Sequence, residues 1–246
     1  MVYLMVEQQF AKYPWCQRTI RGIFEEVRKR RIHVQEVSEL PGGAEERSCV
    51  LLVGASEEWI NQTARGAGSL GLHPIVLSNR ETNSSGLSVS SVKMDIHSSM
   101  ELAVDYLRTL GRERLALFGV NPSASSDLWR ARRFGELTGR EGDVFFLGSS
   151  VNEIFDQFYE KIHRYDGVIC ASDYAAVSLV GRLREKNYAI PEKLYVVGYG
   201  DMFLSRLFRP SITSISDDYE SFGKAALAIC AMICLLYTSP SPRDTR

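Results

Sequence analysis

The 246-residue chain is predicted to be an α/β protein made of two doubly wound parallel-sheet lobes joined by crossovers. Three observations predict this. Short apolar runs alternate with longer stretches of helical periodicity along the whole chain. Some runs, Cys49–Val53 above all, are apolar at every position, as strands covered on both faces are. The βα units also outnumber what one small sheet holds, and the length suits one large domain or two small ones.

Each element rests on its own pattern. Val2 to Val6 is an apolar strand candidate, and from Trp15 to Arg30 the positions Cys16, Ile20, Ile23, Phe24 and Val27 recur at helical spacing. The strand at 49–53 is followed by a short helix, Trp59 to Ala67, and a strand from Pro74 to Leu77. Ser98 or Ser99 is expected to cap a helix whose inner face carries Met100, Leu102, Ala103, Tyr106, Leu107 and Leu110. Strands then read at Arg114 to Phe118, Asp143 to Leu147, Val168 to Ala171, Leu194 to Tyr199 and Ile212 to Ile215. Between and after them, helices read at Asp127 to Leu137, Val151 to His163, Tyr174 to Lys186 and Ser221 to Ile233.

Composition narrows the function classes. Thirty acids against 29 Lys plus Arg leave a formal net charge of −1, which excludes a strongly basic nucleic-acid binder in this piece. The five cysteines, Cys16, Cys49, Cys170, Cys230 and Cys234, form no CxxC pair and suit a reducing compartment. No run approaches the length of a membrane span, and Met1 to Glu7 lacks the basic start of a secretory signal. The expected location is cytoplasmic, with no membrane partner.

Motifs for catalysis or cofactors are weak. Gly66-Ala-Gly-Ser-Leu-Gly71 fits GxGxxG, but it follows a helix and precedes a strand, so it reads as a glycine-rich helix stop. His33, His73, His97 and His163 lack metal-ligand spacing, and there is neither HExxH nor a GxSxG elbow. No cofactor is called for, and the chain is expected not to be an enzyme. In open parallel sheets the ligand crevice lies beyond the carboxyl ends of the strands, so residues just after strands are the candidates. Tyr13 and Trp15 lie in the first strand-to-helix loop, where they either stack on a flat or sugar-like ligand or staple the helix entry. Arg130, in Asp127-Leu-Trp-Arg130, can grip hydroxyls or a carboxylate; the alternative is a surface arginine. Asp173, in Ser172-Asp173, can accept from sugar hydroxyls or cap its helix, and both hold together.

At these segments the chain resembles the effector-binding domain of LacI/GalR-type transcriptional regulators. The resemblance is carried by Leu102–Gly119, Asp166–Asp173, Ile190–Asp201 and Leu204–Ile215. It implies the type I periplasmic-binding-protein fold, with an amino-terminal lobe of residues 1–96 plus 218–233 and a carboxy-terminal lobe of residues 97–216. It places the family's effector arginine on Arg130, its Asn-Asp pair on Ser172 and Asp173, and its Gly-Phe/Tyr-Asp-Asp on Gly198-Tyr199-Gly200-Asp201. Two positions depart from the family: Ser172 stands for an amide, and Gly200 for a ligand-binding Asp. The chain also offers only Glu39 to Arg47 where the family has a full helix. The resemblance implies sensing of a small metabolite, expected to be a sugar, in the cleft between the lobes of a homodimer. DNA would be reached through a module not in this sequence. A transporter's solute-binding protein and a ligandless dimerisation domain are the alternatives.

The stretch from Cys234 to Asp244, with prolines at 240 and 242, resembles the translation of a transposase-type sequencing adapter. Residues 234–246 are therefore expected to be a non-native tail, with the native chain continuing past Ile233.

Overall fold

The computed structural model describes residues 1–42, 48–78, 89–148 and 151–238. In chain order the first part carries β1 (Val2–Val6), α1 (Pro14–Arg30), β2 (Val34–Glu36), β3 (Cys49–Val53), α2 (Glu57–Ser69), β4 (His73–Leu77) and β5 (Ser90–Val92). Next come α3 (Ile96–Thr109), β6 (Leu115–Val120), α4 (Ser125–Thr138), β7 (Val144–Phe146), α5 (Val151–Lys161), β8 (Gly167–Cys170) and α6 (Asp173–Glu185). The rest comprises β9 (Tyr195–Tyr199), α7 (Phe203–Leu207), β10 (Thr213–Ile215) and α8 (Tyr219–Thr238). The chain divides into two compact units, one of Met1–Met94 with the segment from Asp218 onward, the other of Asp95–Asp217.

The first unit holds a five-stranded sheet in the order β2-β1-β3-β4-β5, with every pairing parallel. Leu4 lies opposite Leu51 and Leu51 opposite Ile75. Because side chains alternate across a strand, Leu4, Leu51, Val53, Ile75 and Leu77 face Ile23 of α1 and Phe222 and Leu227 of α8. Tyr3, Val50, Leu52 and Val76 face Ile60, Ala64 and Ala67 of α2. Burial on both faces is why β3 shows no polar alternation.

The second unit repeats the plan in the order β10-β9-β8-β6-β7, again parallel. Phe118, Val168, Cys170 and Val196 pack under α5 and α6 against Phe155, Phe158, Leu179 and Leu183. Leu117, Ile169, Val197, Tyr199 and Ile215 pack under α3 and α4 against Met100, Val104, Leu107 and Phe134.

Two expectations need correction. The N-cap of α3 is Asp95, whose side chain accepts from the Ser98 backbone N–H, rather than Ser98 or Ser99; a carboxylate there meets the helix dipole as well as the orphan amide. The last helix does not stop at Ile233 but runs to Thr238, because Cys-Leu-Leu-Tyr-Thr contains no helix breaker before Pro240. Residues 239–246 of the tail, and 43–47 of the segment expected to lack a helix, lie outside the described residues. Gly66 to Gly71 is a helix stop: α2 ends at Ser69, the Leu70 N–H caps the last carbonyls, and Gly71 is left-handed at φ 76°.

Helices α1 and α8 meet backbone to backbone. A Cβ on Gly22 would lie 2.0 Å from the Glu220 carbonyl oxygen, and one on Gly223 would lie 2.1 Å from that of Thr19. Arg18 closes the seam, its Nη2 2.8 Å from a Glu220 carboxylate oxygen. Gly22→Ala and Gly223→Ala are each expected to cost about 1–3 kcal/mol by overpacking. Gly181 in α6, with open space where its Cβ would be, is expected to gain up to about 1 kcal/mol on the same change through helix propensity. Urea denaturation of the three variants checks this, and a stabilised Gly22→Ala or Gly223→Ala would contradict the close approach.

Candidate functional site

Residues following the strands of the second unit converge on a buried arginine. Asp127 sits in the first turn of α4 and accepts from the Asn121 backbone N–H at 3.0 Å, which fixes the helix start to the end of β6. One turn on, Arg130 donates through Nη1 to Asp127 at 2.9 Å and through Nη2 to Asp217 at 2.9 Å. Its guanidinium carbon lies 4.1 Å from the centre of the Tyr199 ring, at the end of β9. Tyr199 in turn donates to Ser99 of α3. Arg130 is only 7% exposed and Asp217 only 6%, so the pair sits away from water. Burial, with the Asp217 charge second, pushes the Tyr199 phenol above its ordinary range, so the ring stays neutral beneath the cation.

A second cluster occupies the ends of β8, β9 and β10. Ser172 caps α6 by accepting from the Ala175 N–H at 3.2 Å. Asp173 is wholly buried, with one carboxylate oxygen accepting from the Met202 N–H and the other from the Ser214 hydroxyl, both at 2.6 Å. Ser214 also accepts from the Asp201 N–H at 2.9 Å, so it links Asp173 to Asp201. Asp201 takes up the Arg206 guanidinium, with Nε at 2.9 Å. Gly200 turns the chain at φ 112°, and Asp201 continues left-handed at φ 46°. An Asp side chain at position 200 would be strained in that turn, which accounts for the departure at Gly200.

In the first unit, Tyr13 is the N-cap residue of α1 and Trp15 lies in its first turn after Pro14. Tyr13 is 53% exposed with its ring 5.6 Å from that of Phe10, whereas Trp15 packs between Phe10 at 5.9 Å and Tyr219 at 6.5 Å. Thus Trp15 serves the helix entry, and Tyr13 presents a ring to solvent. Beside them stands a residue that sequence reasoning passed over. Glu7 directly follows β1 and is 4% exposed. It accepts from the backbone N–H groups of Ala55 and Ser56 at 2.9 and 3.0 Å, and from the Ser56 hydroxyl and Gln9. It therefore fills the position at the start of α2 that suits an anion. Burial alone would raise its pKa, but these hydrogen bonds together outweigh burial and hold the carboxyl below its ordinary value.

The model of the periplasmic binding protein-like domain matches residues 104–244, more than half of the chain. The chain belongs to this family. Among proteins, the domain is 32% identical over 90 residues to an HTH-type transcriptional regulator, RegA, of Clostridium saccharobutylicum, a match spanning 37% of this chain and 24% of that protein. The chain thus aligns with about a quarter of the length of the curated relatives it matches. Among structures, the domain superposes on a LacI transcriptional regulator from a Rhodococcus species with TM-score 0.71 and 22% identity, covering 95% of this chain and 91% of the other. It also superposes on a LacI family regulator, CCPA, of Weissella paramesenteroides with bound sucrose, with TM-score 0.65, 16% identity and coverage of 94% and 91%. These likenesses show the two-sheet α/β fold that the sequence predicted.

Of the site residues predicted from sequence, the structure joins Arg130 to Tyr199 and joins Asp173 to Asp201 through Ser214. It gives Ser172 a capping role and leaves Tyr13 and Trp15 on the other unit. The missed residues are Glu7, Ser99, Ser214 and Asp217. Glu7 and Asp217 lie just beyond β1 and β10, so the strand-end rule applied at every strand would have found both. Among the described residues no group of three His, Cys, Asp or Glu is placed to hold a metal ion.

Glu7→Gln would set an amide against donors that now meet a carboxylate, and is expected to cost about 1–3 kcal/mol at neutral pH. Because its folded pKa is lowered, the contribution of Glu7 is complete above the ordinary value of 4.5 and is lost as pH falls through the folded value. The variant's stability should therefore approach that of the parent in acid. Denaturant titrations at neutral pH and below 4.5 check both parts, and an equal deficit at both would contradict the assignment.

Proposed function

We propose that the domain is the ligand-sensing part of a LacI-type transcriptional regulator. In this reading it binds a small hydroxyl-bearing metabolite of the mono- or disaccharide class and controls DNA binding through a module outside this chain. The observation that carries the reading is that Arg130 lies over Tyr199 at the end of β9 and that Asp173, after β8, is linked through Ser214 to Asp201, after β9, at the strand ends where α/β sheets hold ligands. Sucrose in the Weissella neighbour and the regulator names of the relatives support it. Ligand contacts are proposed at Arg130, Ser172, Asp173, Tyr199 and Asp201 of the second unit, and, as read from the sequence alone, at Tyr13 and Trp15. The regulator is proposed to act as a cytoplasmic homodimer without catalytic activity, ligand binding shifting its population between two conformations. Among the described residues no helix is long and apolar enough to cross a membrane.

One observation favours a second reading. Arg130 and Asp173 are buried and already engaged within the unit, as they would be in a domain that only dimerises and senses nothing.

Calorimetry with a panel of neutral mono- and disaccharides separates the two readings. Sensing predicts a saccharide that binds, and a loss of tenfold or more in affinity for both Arg130→Lys and Asp173→Asn, the scale of one charge-assisted hydrogen bond. Absence of binding across the panel would favour the ligandless reading, and unchanged affinity in both variants would remove these residues from the site.

A further inference from the structure

An arginine at a strand end is ordinarily a place for a carboxylate or phosphate, because its planar fork matches both. Here the fork is taken. Arg130 meets two carboxylates, Asp127 and Asp217, each at 2.9 Å, and all three groups are largely buried. The local charge is therefore not positive. Asp173 adds a further buried carboxylate whose hydrogen-bond donors, the Met202 N–H and the Ser214 hydroxyl, are neutral. Asp201 is offset by Arg206. Among Arg130, Asp127, Asp217 and Asp173 acids outnumber guanidiniums, and all four side chains are largely buried, where water screens them little.

We infer that Asp217 sets the charge class of the effector: by completing the neutralisation of Arg130, it admits uncharged hydroxyl-bearing ligands to this strand-end site and excludes carboxylates and phosphates. The inference rests on the ligand-sensing reading above and sharpens it. An anion reaching Arg130 would have to displace Asp217 or lie against it, and like charges at close range in a poorly hydrated site oppose binding. A hydroxyl meets no such barrier. An ionised carboxylate offers roughly four acceptor positions, so one engaged by arginine still accepts from an alcohol. Asp217 is well placed for this role because it immediately precedes the point where the chain leaves the unit; its neighbour Asp218 instead caps α8, accepting from the Ser221 N–H at 3.0 Å.

The test compares the 246-residue chain with its Asp217→Asn variant, by thermal shift and calorimetry at matched ionic strength. The probes are neutral hexoses and disaccharides, hexose 6-phosphates and inorganic phosphate. The parent is expected to show no phosphate-specific stabilisation and to bind any hexose 6-phosphate at least tenfold more weakly than its neutral counterpart. Asp217→Asn is expected to gain tenfold or more in affinity for inorganic phosphate, and a second change, Arg130→Met, to abolish the gain. If Asp217→Asn does not fold, Asp127→Asn removes the other partner and carries the same expectation. Phosphate binding by the parent, or no gain in the variant, would overturn the inference. Failure of every saccharide to bind would instead count against the sensing reading, and the phosphate gain is read independently of it.

Discussion

The second unit depends on one buried cation. Arg130 ties α4 to its own first turn through Asp127, to the segment after β10 through Asp217, and to β9 through the Tyr199 ring. A guanidinium in that position is tolerable only because two carboxylates and an aromatic face replace its water. The carboxylates are tolerable only because of the guanidinium. Removing Arg130 would leave two uncompensated buried carboxylates, and stripping the partner from a buried ion pair typically costs about 3–5 kcal/mol. The network therefore holds three strand ends in register before any ligand arrives, which is what a site on rigid elements requires.

The first unit solves a related problem with the opposite sign. The start of α2 directs amide groups at the carboxyl end of the sheet, and Glu7 from the end of β1 answers them. Gly22 and Gly223 let α1 and α8 touch, so that residues distant in sequence close one face of the sheet. Both units thus meet the polar groups at their strand ends with side chains of their own.

The sequence showed the fold through periodicity. β3, β6 and β8 are apolar throughout because helices cover both faces, and α1 and α6 keep their apolar stripes; of the inner face expected for α3, Met100, Ala103 and Leu107 are buried whereas Leu102 and Leu110 are exposed. Three short elements were not legible. β2, Val-Gln-Glu, and β5, Ser-Ser-Val, are edge strands of three residues, with too few side chains to show a period. α7 has a single turn and a half of Phe-Leu-Ser-Arg-Leu, whose Phe203 is exposed rather than turned to a core. For the site, Arg130 and Asp173 were visible as residues beyond strands, and Tyr199 through the resemblance alone. Their pairings were not, because Asp217 is 87 positions from Arg130 in sequence and Ser214 is 41 from Asp173. Pairing across such separations is set by which strands are neighbours, and single-sequence patterns carry no information on that.

Arg130 and Asp217 act as one unit. A double-mutant cycle built from Arg130→Met, Asp217→Leu and the double variant, followed by urea denaturation, measures it directly. Each single change is expected to be strongly destabilising, and the double variant to recover at least about 2 kcal/mol relative to the sum. Additivity within about 0.5 kcal/mol would contradict it, because the two residues would then hold the unit independently.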